Sequence, residues 1–267
     1  MTLLQSMPFP HAADAAEARP QVRRIHEGEL RWALAEGWKD FRDRRGDVIL
    51  LALIYPVVGL AAALATFNAR LLPMLFPLAA GLSILGPAVA AGFYELARRR
   101  EVGLEAGWRH FLDPLRGRSR APLLALTAGL VALFAAWLAA AWLIYAATLG
   151  SEPAAGVGDF LRRLFTTPQG WTLIVVGNLV GFGFAAVTLV LSVVSFPMVV
   201  DRPVGAGAAV AASIRAAGAN PRAMTLWGLR VAGLLLLGCL PGFVGLAVVL
   251  PLLGYATWRL YTRLIVR

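Results

Sequence analysis

Residues 48–67 read VILLALIYPVVGLAAALATF, twenty positions without a charge. A helix needs about 20 apolar residues to cross the roughly 30 Å hydrocarbon core of a bilayer. Further uncharged runs cover 71–94, 121–151 and 164–200. Pro168 and Gly170 near the start of the last run place the beginning of its helix near Trp171. Residues 223–258 hold a single charge, Arg230. One straight helix of that length would extend about 54 Å at 1.5 Å per residue. Two helices with a turn at Leu240-Pro241-Gly242 fit better, because Pro and Gly break helices. The spans expected are therefore 48–67, 71–94, 121–149, 171–200, 223–240 and 243–262.

Charge placement tests that count. Six crossings put both termini on one side, together with segments 1–47, 95–120, 201–222 and the tail after Trp258. Those segments hold 21 of the 25 basic residues, whereas the opposite side holds Arg70, Arg162 and Arg163. Cytoplasmic loops carry the Lys/Arg excess in membrane proteins. Five crossings would put Arg259, Arg263 and Arg267 outside, so six fits better. The expected location is the bacterial inner membrane, multi-pass, with both termini cytoplasmic.

Composition agrees. Hydrophobic residues make up 59% of the chain, charged residues only 15%, and the mean hydropathy is +0.70, where soluble domains carry about a quarter charged residues. The net charge of +10 could suggest phosphate polymers, but the basic residues lie between apolar runs rather than along one soluble face. No nucleic acid is expected as a partner. The first long apolar run begins only near residue 48, so the N-terminal stretch does not read as a signal peptide. Cys239, the single cysteine, sits in an apolar run and reads as a small buried hydrophobe.

The parts outside the membrane are small. Residues 1–26, rich in Ala, Pro and charge, read as a disordered cytoplasmic tail. Residues 27–46 read as an amphipathic helix, with Leu30, Leu34, Trp38 and Phe41 on one face and Arg31, Lys39, Arg42, Arg44 and Arg45 around it. Such a helix either lies in the headgroup layer or packs against the cytoplasmic ends of the bundle. Residues 47–267 form the membrane domain. The fold class is an all-α polytopic membrane helix bundle of about six transmembrane helices, with amphipathic cytoplasmic-face helices between hairpins.

Gly37-Trp38-Lys39-Asp40-Phe41 has a counterpart in Gly107-Trp108-Arg109-His110-Phe111, and residues 208–219 occupy the equivalent place before the fifth span without the aromatics. Three units of interfacial helix plus hairpin would explain this, as transporter repeats do. Trp-basic matches also arise wherever a helix meets the membrane surface.

Ionisable groups at mid-membrane depth are costly and mark function. No Asp, Glu, Lys or His lies at mid-span here, and Arg230 is the one deep charge. It either snorkels to the surface, pairs with Glu95 or Asp201 near the cytoplasmic ends of spans two and four, or serves a functional role. Asn178 is the other mid-span polar residue, beside Gly177, Gly181 and Gly183. A packing contact with one interhelical hydrogen bond competes there with a substrate site. Arg230, Glu95, Asp201 and Asn178 are the candidate functional or structural polar residues.

Other motifs fail on context. Gly156-Val157-Gly158-Asp159 spells the string of intramembrane aspartyl proteases, yet it falls in the outer loop with no second intramembrane carboxylate to share a proton. Gly205-Ala206-Gly207 is too short for a dinucleotide fingerprint and follows a helix. His11, His26 and His110 lie outside the spans, which excludes bis-histidine haem within the membrane and a zinc site of the HExxH type. No catalytic, cofactor-binding or metal residues are assigned, and no cofactor is expected.

Trp32-Ala-Leu-Ala-x-Gly37-Trp38-x-Asp40-Phe41, Gly86-Pro87 followed by Phe93-Tyr94-Glu95, and Phe196-Pro197-Met198-x-x-Asp201 resemble the "domain of unknown function 2189" family of bacterial integral membrane proteins. The resemblance covers nearly the whole chain after residue 20. The family has no established activity, and some of its members are labelled cytochrome c oxidase subunits. This sequence lacks the intramembrane histidines that haem and copper ligation need, so the resemblance supports topology and a bacterial inner-membrane location and leaves function open, an accessory or assembly role near respiratory complexes being one reading.

Two functions compete most closely. A non-enzymatic accessory, assembly or scaffold component suits spans without buried charge and with many small residues for helix packing. A transporter or channel for a small or lipidic solute would use Pro56, Pro87 and Pro251, which kink spans. A lipid-acting enzyme would have to draw on Glu95, His110, Asp113 and Asp201. The partners expected are the lipid bilayer and other membrane-protein subunits.

Overall fold

A computed structural model of the chain describes residues 20–43, 72–150, 155–241 and 243–267. The predicted first span 48–67 lies outside the described residues, as do positions 1–19 of the tail and 44–46 of the amphipathic helix.

Helix α1 (Glu27–Asp43) starts where Glu29 Oε2 accepts the His26 backbone N–H at 2.6 Å. That reach-back satisfies a donor the first turn cannot. Two stretches then form one apolar crossing: α2 (Leu75–Gly81), a 3-10 turn at Leu82–Leu85, and α3 (Gly86–Glu101). Pro87 explains the turn, because its ring has no N–H and clashes with the carbonyl four residues back. Helix α4 (Arg120–Thr148) runs without interruption and is long and apolar enough to cross a membrane. A short helix α5 (Val157–Thr166) follows, which the sequence reading leaves as loop.

Helix α6 begins at Pro168, not near Trp171, and runs Pro168–Ser192. Thr167 caps it by accepting the Gly170 N–H at 3.1 Å, and proline suits the first helical position because its missing donor is an orphan there anyway. The same crossing continues, after a break at Val193-Val194, as α7 (Ser195–Asp201). Pro197 cannot bond back to Val193. Ser213, from α8 (Ala206–Ala219), repairs the opening. Its hydroxyl donates to the Val190 carbonyl at 2.7 Å and accepts the Val194 N–H at 3.2 Å. Those are the two groups an unbroken helix would have joined to each other.

Helices α9 (Pro221–Cys239) and α10 (Leu246–Leu264) form the last hairpin. Gly238 and Gly245 set its width: a Cβ on Gly245 would lie 2.8 Å from the Gly238 carbonyl oxygen. Four helical stretches among the described residues are long and apolar enough to cross a membrane: Leu75–Glu101, Arg120–Thr148, Pro168–Asp201 and Pro221–Cys239. They coincide with four of the six predicted spans. The sixth, 243–262, falls on α10, which is not among these four. Arg259 and Arg263 lower its apolar character, and it buries Tyr255, Trp258, Leu260, Tyr261 and Leu264 inside the protein.

The protein is therefore an all-α polytopic bundle with an uneven core. Its largest buried side chains, Trp227, Trp258, Tyr255, Tyr261, Phe93 and Phe196, come from α3, α7, α9 and α10. Helix α1 completes that core rather than lying free in the headgroup layer. It buries Leu30, Ala33, Gly37, Asp40 and Phe41, while Trp38, predicted on the same apolar face, is 42% exposed. The buried stripe is rotated because α1 closes onto α10 at Gly37, where a Cβ would stand 2.6 Å from the Ala256 backbone nitrogen. By contrast, each of the four crossings has only 22% to 33% of its apolar window buried. Lipid is as apolar as the helix surface, so nothing drives those faces inward.

The three proposed repeat units do not form equivalent elements. The first is a 17-residue α-helix, the second a 3-10 helix at Trp108–Leu115, and the third the alanine-rich α8.

Candidate functional site

The described carboxylates gather mostly at one end of the bundle, where α1, α3, α7 and α10 meet. At its centre is Asp40, 5% exposed. Arg259 forks onto it at 2.8 and 3.0 Å, and Arg100 approaches at 3.4 Å while bonding Asp43 at 2.6 Å. Bidentate guanidinium–carboxylate pairs of this kind hold both distance and orientation. Sequence reasoning placed Asp40 in a repeat motif but not at the centre of an ion-pair network, since its partner lies 219 residues away.

Glu95 is buried on α3, one turn before the basic run. Arg98 forks onto it at 2.7 and 2.8 Å, and Arg99 lies at 3.7 Å. Asp201, at the last turn of α7, accepts the Tyr261 hydroxyl at 2.7 Å and lies 3.5 Å from Arg267 and 3.6 Å from Arg202. Glu101 accepts Trp258 Nε1–H at 3.1 Å and Arg267 at 2.7 Å. Each of these carboxylates is thus matched by at least one guanidinium, and the network ties the end of the chain to α1, α3 and α7.

A cavity of about 280 Å³ opens beside Glu95, Arg98, Asp113, Arg118 and Ser119. His110 sits next to it, with Nδ1 2.9 Å from Asp113, which also meets Arg99 at 3.4 Å. Three of the four acid–base residues a lipid-acting enzyme would require, Glu95, His110 and Asp113, lie at or beside this cavity, while the Asp201 carboxylate faces Tyr261, Arg202 and Arg267. Their oxygens are nevertheless engaged by arginines and, for Ser119, by the Val199 carbonyl at 2.8 Å. Among the described residues, no three His, Cys, Asp or Glu side chains converge as a metal site.

Arg230 does not reach Glu95 or Asp201. It pairs with Glu27, at the first turn of α1, at 3.0 Å. The pairing follows from how the chain enters α1: Asn220, just before α9, accepts the Ile25 N–H at 2.8 Å and donates to the Arg23 carbonyl at 3.0 Å. Residues 23–27 are thereby held along the start of α9. Arg230 Nη1 is buried and has no hydrogen-bond partner among the described residues.

Asn178 makes no interhelical hydrogen bond among the described residues. It is exposed on α6 and donates to the Ile174 carbonyl of its own helix at 2.7 Å. Of the neighbouring glycines, a Cβ on Gly181 would stand 3.1 Å from the Trp137 ring of α4, whereas one on Gly177 would meet nothing within 4 Å. Asp159, on α5, pairs with Arg162 at 3.1 Å, and its carboxyl is held below the usual range by the hydrogen bond from Arg162 first and then by the one from the Ala155 backbone N–H.

No curated protein and no solved structure matches the chain. Residues 74–201, from the turn before α2 to the end of α7, match the family model described as predicted integral membrane protein, DUF2189, the family the sequence resembles, and the chain is an integral membrane protein.

Proposed function

We propose that this protein is a non-enzymatic accessory, assembly or scaffold component of a bacterial inner-membrane complex, with both termini cytoplasmic. The observation that supports this reading most is the outward face of α6. Val175, Leu179 and Phe182 are exposed there, Leu179 and Phe182 by 67% and 64%, and Asn178 sits among them. A carboxamide at mid-helix depth on an apolar face is expensive in lipid unless a neighbouring helix meets it. Its bond to Ile174 leaves the Asn178 carbonyl oxygen available to a donor from another subunit. The arginine-rich end, with its carboxylates already paired, serves in this reading to hold the scaffold rigid.

The test is a pull-down of tagged protein from native membranes in gentle detergent, with mass spectrometry of what remains bound. A stoichiometric partner retained by the wild type and lost from Asn178→Leu supports the proposal. A partnerless monomer would shift the reading to transport of a small or lipidic solute.

A further inference from the structure

A second cavity, of about 360 Å³, lies at the end of α10 where the tail of the chain meets residues 21–23. Its wall carries four guanidinium groups, Arg23, Arg259, Arg263 and Arg267, against a single carboxylate side chain, Glu101. Arg23 is brought there by backbone pairing. Val22 forms an antiparallel bridge with Ile265, the Arg23 N–H donates to the Leu264 carbonyl at 2.8 Å, and the Val266 N–H donates to the Gln21 carbonyl at 3.1 Å. These bonds also satisfy the last carbonyl of α10, which would otherwise present negative charge to the cavity.

The four arginines are not equally committed. Arg259 is spent on Asp40 and Arg267 on Glu101, and Arg267 also stacks over Trp258 at 4.9 Å. Arg23 and Arg263 meet no carboxylate among the described residues. The Arg263 guanidinium lies 4.0 Å above the Trp32 ring. Stacking occupies the face of a guanidinium and leaves the N–H groups at its edge free to donate, which suits a planar fork to an oxyanion. Glu101 offers little competition, since Trp258 and Arg267 already use both its oxygens.

We propose that this cavity binds a phosphate oxyanion, held by Arg263 in the plane of its Trp32 stack and by Arg23 across the bridge. The arginine-rich ends of membrane helices lie at the depth of lipid phosphates. The phosphate therefore belongs either to the headgroup of an anionic lipid or to a soluble phosphate compound. The site does not depend on the accessory role.

The full-length protein, purified and delipidated in neutral detergent, is titrated calorimetrically with short-chain phosphatidylglycerol, short-chain phosphatidylcholine and inorganic phosphate. Arg23→Gln/Arg263→Gln is compared with Arg116→Gln, which removes a charge from an exposed loop away from the cavity. A lipid site predicts phosphatidylglycerol binding about tenfold tighter than phosphatidylcholine, weakened about tenfold or more in the double variant and unchanged in Arg116→Gln. A site for a soluble compound predicts inorganic phosphate binding with the same dependence on Arg23 and Arg263, and no preference for the anionic lipid. Equal affinity for both lipids with no phosphate binding overturns the proposal, as does a folded double variant that binds like the wild type. Should the double variant not fold, Arg263→Lys decides. It keeps the charge but loses the stacked fork, so the proposal requires weakened binding, and wild-type affinity overturns it.

Discussion

Asp40 shows how much rests on one side chain at the arginine-rich end. Buried and held by Arg259 and Arg100, it is the negative centre on which α1 and α10 register. Replacing it with Ala leaves the Arg259 guanidinium without its counter-charge in a partly buried setting, whereas Arg100 keeps Asp43 at 2.6 Å. Such a change costs about 3 kcal/mol, so the thermal unfolding midpoint in detergent should fall markedly. The double variant Asp40→Leu/Arg259→Met should lose less than Asp40→Ala, because removing both partners leaves no stranded charge. Equal losses would show that the pair itself supplies the stability. Ser213 offers a second test at this scale. Ser213→Ala strands the Val190 carbonyl and the Val194 N–H inside the protein, and each buried unsatisfied group costs about 1–3 kcal/mol. The expected outcome is a lowered midpoint and looser coupling of α7 to α8, read by hydrogen exchange at residues 193–195. Neither role is visible in the sequence: Asp40 sits in what reads as a solvated face, and Ser213 in a run of alanines.

Among the elements, α1 departs most from its sequence pattern. Its apolar stripe predicts Trp38 inside, and the structure instead exposes Trp38 and buries Asp40. The contact with α10 decides this, since Gly37 is where the two backbones approach and the helix turns to suit that approach. Gly37→Leu should therefore detach α1 from α10, lowering stability by several kcal/mol, more than the ~1–3 kcal/mol of ordinary overpacking, because the obstruction is backbone. Limited proteolysis of residues 20–43 would report it. Helix α5 is a different kind of omission. Val157, Leu161 and Phe165 recur at helical spacing and are exposed, a pattern that suits the surface of a membrane. It is short and flanked by glycine and proline, which hides it among loop signals. The proline-induced breaks before α3 and at Val193-Val194 were foreseeable in kind from Pro87 and Pro197.

For the molecule as a whole, orientation is the first quantity to measure. With Cys239 changed to Ser, single cysteines at Arg116 and Arg163 should react with a membrane-impermeant maleimide from opposite sides, Arg116 from the cytoplasm and Arg163 from outside. Labelling of both from one side would refute a crossing of the bilayer by α4, the helix between them. The outcome for a cysteine at Arg267 decides the role of α9 and α10. Cytoplasmic labelling is expected, because Arg267 shares Glu101 with the end of α3.

The apolar runs alone determined that this is a helical membrane protein and where four helices long and apolar enough to cross a membrane fall. Crossing a bilayer depends on the length and apolarity of one continuous segment, and both are written locally in the chain. The partners of its charges were decided only in three dimensions. Glu27 meets Arg230, Asp40 meets Arg259, and Arg23 comes beside Arg263 and Arg267 because backbone pairing and the packing of α1 on α10 draw together residues some 200 positions apart. Counting arginines along the chain predicts a side of the membrane. Which of them are neutralised, and which remain free to hold an anion, follows from the packing.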